Sequence, residues 1–327
     1  MNNKNISTAL AAGISLIISI ILFIFGIFFV IPFLIPRYLL ETSSYYVVAI
    51  FLEMIPLAIG MIAYTILTKQ KLSDIIIFSK PQAKMNKEKM FWLAVLAIVM
   101  AIVGNYFMRI LVVGWTWLLE TLGYRVAETN LPAVDNIEVF LIAIVSIALV
   151  PAVFEEIIFR GILQKGLLRH TKPKAAILIS SAMFMLMHLS VESMPFTFIM
   201  GCILGYLAYR AGSIIPSILL HFVNNSIAVI SLYILELTKG VNPAIEEAAD
   251  LSMLTPIEIT TLLAIATISA GLLVLAIWGY KKLSKAPPEN PYMKPMKPAS
   301  VVLIVLAACI LAFVMAFMGI VQNIIPM

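Results

Sequence analysis

The chain has 327 residues, 62% of them hydrophobic and only 12% charged, with a formal net charge of +5. A soluble domain holds about 45–50% apolar and about 25% charged residues, so a soluble fold is excluded, and the mean hydropathy of +1.05 agrees. The positive balance reads as the lysine excess of cytoplasmic loops and not as nucleic-acid binding. Cys202 and Cys309, the two cysteines, lie in apolar stretches and form neither a disulfide framework nor a CxxC metal motif.

A transmembrane helix needs about 20 apolar residues. Nine candidate spans meet or approach this: 7–36, 44–68, 90–119, 136–164, 174–190, 194–211, 213–236, 257–280 and 299–322. The first is too long for the apolar core of a signal peptide, about 7–15 residues, and reads as a retained span. The segment from 174 to 236 has very short connections, so its helices are expected to be short or tilted. The fold expected is therefore all-α, a polytopic transmembrane helical bundle of about 8–9 spans. Residues 1–134 form three N-terminal spans, 135–236 form spans four to seven, and 237–327 hold the C-terminal helices.

Basic residues set the orientation. Lys4, the lysines of 69–89, Lys165, Arg169, Lys172, Lys174, Arg210 and the lysines of 281–298 place 17 of the 22 basic residues on one side. The alternate loops hold Arg37, Arg125, Lys239 and most of the acids. The positive-inside rule then predicts a multi-pass protein of the cell membrane with a cytoplasmic N-terminus and an external C-terminus. Within 69–89, the apolar LSDIIIF (72–78) is too short to span; it lies at the interface or packs on the bundle. The proline-rich 286–298 reads as a stiff connector that sets the last helix at the periphery. The acidic loop 237–256 has no readable role.

The residues that do not belong in a lipid-facing helix are the informative ones. FEEIIFR (154–160) puts Glu155, Glu156 and Arg160 inside a long apolar stretch, where one charge near the bilayer centre costs at least about 2.5–3.5 kcal/mol. Glu156 and Arg160 are four apart and share a face, so they pair. Glu155 is rotated by about 100° and is left free for a cavity. Pro151, just before, breaks or kinks the helix. Of the three histidines, His170 belongs to a basic loop, whereas His188 follows Phe184 by one turn and His221 precedes Asn225 by one turn, both within predicted spans. From the lysine-rich ends of their spans these groups lie roughly 12–21 Å deep at about 1.5 Å per residue, so they can meet at one level. Gly201, Gly205, Ala208 and Gly212 form a small-residue stripe that permits close helix approach. Ser213 before Pro216 reads as the start of the helix carrying His221. Glu53 and Arg109, in the second and third spans, form an expected interhelical pair.

At these residues the sequence resembles the CPBP intramembrane proteases, which include the type II CAAX prenyl endopeptidases and the bacterial Abi-type proteins. Glu155, Glu156 and Arg160 match the family's EExxxR motif, Phe184 and His188 its FxxxH motif, and His221 and Asn225 its HxxxN motif. The resemblance covers about residues 135–235. It implies a catalytic core of about four helices and a glutamate-dependent endopeptidase with no cofactor. Glu155, His188, His221 and Asn225 are then the catalytic residues, supported by Glu156, Arg160 and Phe184. Desolvation within a bundle strengthens Glu155 as the base that activates water. His188 would orient the water or carry protons, and His221 with Asn225 would hold the oxyanion. The substrate implied is a membrane-embedded or lipid-anchored peptide or protein, reached through a cavity open to the cytoplasm or inner leaflet. Two other classes fit the same side chains. A metal-dependent membrane protease would bind zinc through the Glu and His groups, although no HExxH pair is present. A transporter or scaffold would use the buried Glu, His and Arg as a proton relay.

Overall fold

A computed structural model of the chain describes residues 7–77, 87–126, 131–239, 255–284 and 295–324. Phe78 of the 72–78 segment, most of the 286–298 connector and most of the 237–256 loop lie outside them. Ten helices carry the architecture: α1 (Thr8–Leu34), α2 (Ser44–Thr68), α3 (Leu72–Ile76), α4 (Lys87–Thr121), α5 (Ile137–Leu167), α6 (Pro173–Met187), α7 (Met194–Ala211), α8 (Ile215–Thr238), α9 (Pro256–Leu283) and α10 (Pro298–Ile324). Among the described residues, eight of these are long and apolar enough to cross a membrane. This is a multi-pass helical membrane bundle.

α6 has 15 residues, about 22 Å at 1.5 Å per residue and short of a hydrocarbon core of about 30 Å. Hydrogen bonds at the two ends of the bundle show that it nevertheless runs from one end to the other. At one end, Arg169 donates to Thr8 Oγ1 at 3.2 Å, Ile214 N donates to Ile76 O at 3.0 Å, and Arg210 bonds the carbonyls of Lys281 and Ser284. At the other, Trp115 Nε1 donates to Val191 O at 2.8 Å, Arg125 N to Asn323 Oδ1 at 2.6 Å, and Tyr124 Oη to Glu192 Oε1 at 3.1 Å. The first set gathers the lysine-rich connections and the second the acidic ones. α6 leaves the first end at Pro173 and its connection reaches the second by Val191, so among the described residues it runs from one end of the bundle to the other, and the two described termini lie at opposite ends.

α5 is the axis of the site. It packs against α1, α2, α3, α6, α7 and α8, while α9 packs on α4 and α10 on α1 and α6. Two π-helical stretches, Ile144–Leu149 and Ile157–Gln164, flank the acidic motif of α5. Such wider turns rotate the side chains beyond them and concentrate at functional sites; they have no residue-type signature, and the sequence did not reveal them. All eight residues of the second stretch are buried. Pro151 is the second residue of the α-helical segment between the two stretches, and α5 continues through it.

The small-residue stripe of α7 has a definite job. Arg160 Nη2 donates to Gly201 O at 3.1 Å and, one turn on, Gln164 Nε2 donates to Gly205 O at 2.8 Å. A Cβ at Gly201 would stand 3.0 Å from Ser181 Cβ, and one at Gly205 would stand 2.6 Å from Gln164 Oε1. The glycines thus bare two carbonyls to polar side chains of α5. Gly212 ends α7 with φ +63°, and α8 begins at Ile215, two residues after Ser213, whose hydroxyl accepts from Ile215 N at 3.3 Å.

The 72–77 segment packs on the bundle. Ile75 is fully buried against Gly161, and Lys165 Nζ donates to the carbonyls of Asp74 and Ile77. Ile77 also bridges to Ser213.

Candidate active site

The four elements α5, α6, α7 and α8 bring most of the singled-out polar groups together. Arg160 and Glu156 are both fully buried, with Nη1 and Oε1 2.5 Å apart. A buried pair of this kind is held more firmly the more of its remaining hydrogen-bonding groups are also served. Gly201 O takes one guanidinium nitrogen, and the guanidinium carbon lies 4.4 Å from the centre of the Phe184 ring, a cation–π contact. Arg160 Nε and Glu156 Oε2 have no hydrogen-bond partner.

Glu155 faces another way, as its rotation along the helix requires. Its side chain is 13% exposed and its Oε2 atom is buried without a hydrogen-bond partner. His221, on the first turns of α8, reaches both glutamates. Its Nδ1 is 3.3 Å from Glu156 Oε1 and its Nε2 is 3.8 Å from Glu155 Oε2. An ionised Glu156 only accepts, which assigns the proton to Nδ1 and leaves the Nε2 lone pair facing Glu155. The 3.8 Å gap is too long for a direct bond. It suits one water that bonds both groups, since two legs of about 2.8 Å across it subtend about 85°. A water so held gives both protons to acceptors and turns its lone pairs outward.

Phe184 is the hub of the cluster. Its ring lies 4.7 Å from His188, 5.8 Å from His221 and 5.4 Å from Phe159, all near edge-on. His188 closes α6, and its Nδ1 bonds the Phe184 carbonyl at 2.9 Å, leaving Nε2 for other work. The next residue, Leu189, has φ +52°. That left-handed conformation costs a leucine about 1–2 kcal/mol and turns the chain sharply behind the imidazole.

Asn225 lies one turn beyond His221. Its Nδ2 donates to Ile147 O at 3.1 Å, and its Oδ1 accepts from Asn224 Nδ2 at 3.2 Å, so one of its N–H groups stays uncommitted. Asn224 in turn accepts from Asn105 of α4 at 3.4 Å. The carbonyl that anchors Asn225 belongs to the first π-helical stretch. Asn224 and Gln164 are members of the site's polar framework that the sequence did not single out; the Asn-Asn doublet was the available signal for the first.

One expectation needs correction. Glu53 does not pair with Arg109. α2 packs on α1 and α5 whereas α4 packs on α8 and α9, so Glu53 meets the field of Glu155 instead and Arg109 is exposed. A cavity stands apart from the lysine-rich end of the bundle. It measures about 840 Å³ and lies in the opposite half between α4, α7, α8 and α9, lined by Asn105, Arg109, Phe196, Ser231 and Glu258 among others. Asn105 on its wall is linked to the site through Asn224 and Asn225. Among the described residues, no three or more His, Cys, Asp or Glu side chains are gathered as a metal-binding set.

The residues of this cluster from Glu155 to Asn225 fall inside one stretch that is recognisable on its own. Residues 137–227 match the family model of type II CAAX prenyl endopeptidase Rce1-like proteins. The matched stretch starts with α5 and ends within α8, so it coincides with the helices that build the cluster. With the membrane-crossing helices, the Rce1-like domain supports a CAAX-type intramembrane protease, a peptide hydrolase acting on membrane-associated substrates. No curated protein and no solved structure matches the chain.

Proposed function

We propose that the chain is an intramembrane endopeptidase that hydrolyses a peptide bond of a membrane-embedded or lipid-anchored substrate with a water activated by Glu155. The observation that carries this reading is the unpartnered Glu155 Oε2 facing His221 Nε2 at 3.8 Å beside a neutralised Glu156–Arg160 pair. Glu155 takes one proton from the water as the oxygen attacks the carbonyl carbon. The tetrahedral oxyanion receives the uncommitted N–H of Asn225, and such a donor contributes about 2.7–4 kcal/mol to the transition state. Glu155 then returns the proton to the leaving amine, C–N cleavage completes, and His188 exchanges protons with the solvent side. Glu156, Arg160 and Phe184 hold the two imidazoles and stay chemically silent. No metal is needed for any step.

In this reading the lysine-rich end, with the N-terminus, faces the cytoplasm and the C-terminus lies outside. Protease protection of a tag at each terminus tests the orientation. The substrate is found by comparing the peptides of cells carrying the wild-type chain with those of cells carrying Glu155→Ala at equal abundance in the membrane. A product present only with the wild type is expected. Identical peptide sets, from two proteins equally folded and abundant, would overturn the reading.

A further inference from the structure

The catalytic scheme leaves one buried carboxylate unused. Glu53 lies on α2, outside the matched stretch of 137–227. Its Oε1 is buried with no hydrogen-bond partner, the same condition as Glu155 Oε2. α2 packs along α5 on both sides of the acidic motif. Glu53 stands 15 residues before Thr68 and Glu155 stands 12 before Leu167, which puts them about 22 Å and about 18 Å from the lysine-rich end at 1.5 Å per residue. The two side chains are at one level on touching helices, and Glu155 is the charged group whose field Glu53 feels. Two buried carboxylates side by side cannot both ionise in such a place, and one shared proton resolves the conflict.

We infer that Glu53 is a positioning residue that stays protonated and donates its O–H to Glu155, fixing the carboxylate that activates water. This rests on the proposed role of Glu155. The groups around the pair are Tyr45 on α2, Glu156 and Arg160 on α5, and His221 on α8; α1, which also packs on α2, carries no titratable side chain, and Arg37 of the short Arg37–Leu40 helix against α2 is exposed and paired with Glu41. Arg160 is engaged with Glu156, and His221 approaches Glu155 from the α8 side. The donor to the remaining flank of Glu155 therefore comes from α2. Proton balance is kept through the cycle: Glu155 gains a proton from water and returns it to the amine, while the Glu53 proton remains in place.

The test uses the full chain in liposomes and two readouts. Infrared spectra at neutral pH are expected to show the carbonyl band of a protonated carboxylic acid that disappears in Glu53→Gln and persists in Glu155→Gln. Cleavage by Glu53→Gln, which keeps a donor, is expected within about 3-fold of wild type. Glu53→Leu, which keeps the bulk without a donor, is expected to fall about 10- to 100-fold while unfolding at the same denaturant concentration as Glu53→Gln. A band unchanged in Glu53→Gln would overturn the inference. So would equal cleavage by the Gln and Leu variants. The infrared readout does not depend on turnover, so an inactive Glu53→Gln with the expected loss of the band would remove the positioning role, whereas an active Glu155→Gln would remove the proposed function itself.

Discussion

Arg160→Met is the perturbation whose consequence follows most directly from the packing. Methionine keeps an unbranched apolar stem like that of the arginine and removes its charged head. Glu156 is fully buried, and Arg160 Nη1 at 2.5 Å is the nearest cation to its Oε1. Leaving that carboxylate unpaired costs about 3–5 kcal/mol. Two further losses add to it: the bond to Gly201 O and the contact with the Phe184 ring, the latter worth up to about 2 kcal/mol when desolvated. Glu156→Gln alone strands the guanidinium and is expected to cost about as much. The double variant removes both charges at once, and neutral replacements for a buried pair cost far less than breaking it. The coupling across the cycle should therefore reach about 2–3 kcal/mol. Denaturant unfolding in detergent micelles, followed through the four tryptophans, measures it. Additive losses, with coupling below about 0.5 kcal/mol, would refute the claim that the pair is held by mutual neutralisation.

Two further outcomes follow from particular contacts. A Cβ on Gly161 would stand 2.6 Å from Ile75 Cγ2, so Gly161→Ala should destabilise by about 1–3 kcal/mol, and Ile75→Ala in that background should restore part of the loss. At the acidic end, burial disfavours the Glu192 charge, but hydrogen bonds from its own backbone N–H, Gln322, Ser190 and Tyr124 outweigh it and hold its carboxyl below the usual range. The Tyr124 hydroxyl, pushed up to about 12 by burial and by the Glu192 charge, stays protonated and donates. A depressed carboxyl stabilises the fold above its unfolded value of about 4.3 and loses that contribution as pH falls through its folded value. Unfolding midpoints taken from pH 6 down to pH 3 should therefore fall less in Glu192→Gln than in wild type; parallel curves would show that the carboxylate is not stabilised there.

The polar side chains of the site were legible because the bilayer makes each of them costly. Glu156 with Arg160 followed from a four-residue spacing, and so did the free face of Glu155. Of the nine expected spans, eight recur among the described residues as helices long and apolar enough to cross, and α6 is short by length alone. What escaped was set by contacts between distant spans. Whether Glu53 turns to Arg109 or to Glu155 depends on which helix α2 packs against, and no local pattern records that choice. The π-helical stretches of α5 depend on a shift of backbone hydrogen bonds that any apolar run accommodates. They nevertheless supply the Ile147 carbonyl to Asn225 and carry Arg160 and Gln164 to the bared carbonyls of α7.

The central claim is that Glu155 activates the attacking water without a metal. Its most direct test is the rate at which the purified chain, in liposomes and in the presence of a zinc chelator, cleaves the peptide found by the cellular comparison. The wild type should be unaffected by the chelator, and Glu155→Gln should be slower by about 10²–10⁴-fold, the share of a general base. Cleavage by Glu155→Gln at the wild-type rate, or wild-type activity lost to the chelator and restored by zinc, would contradict it.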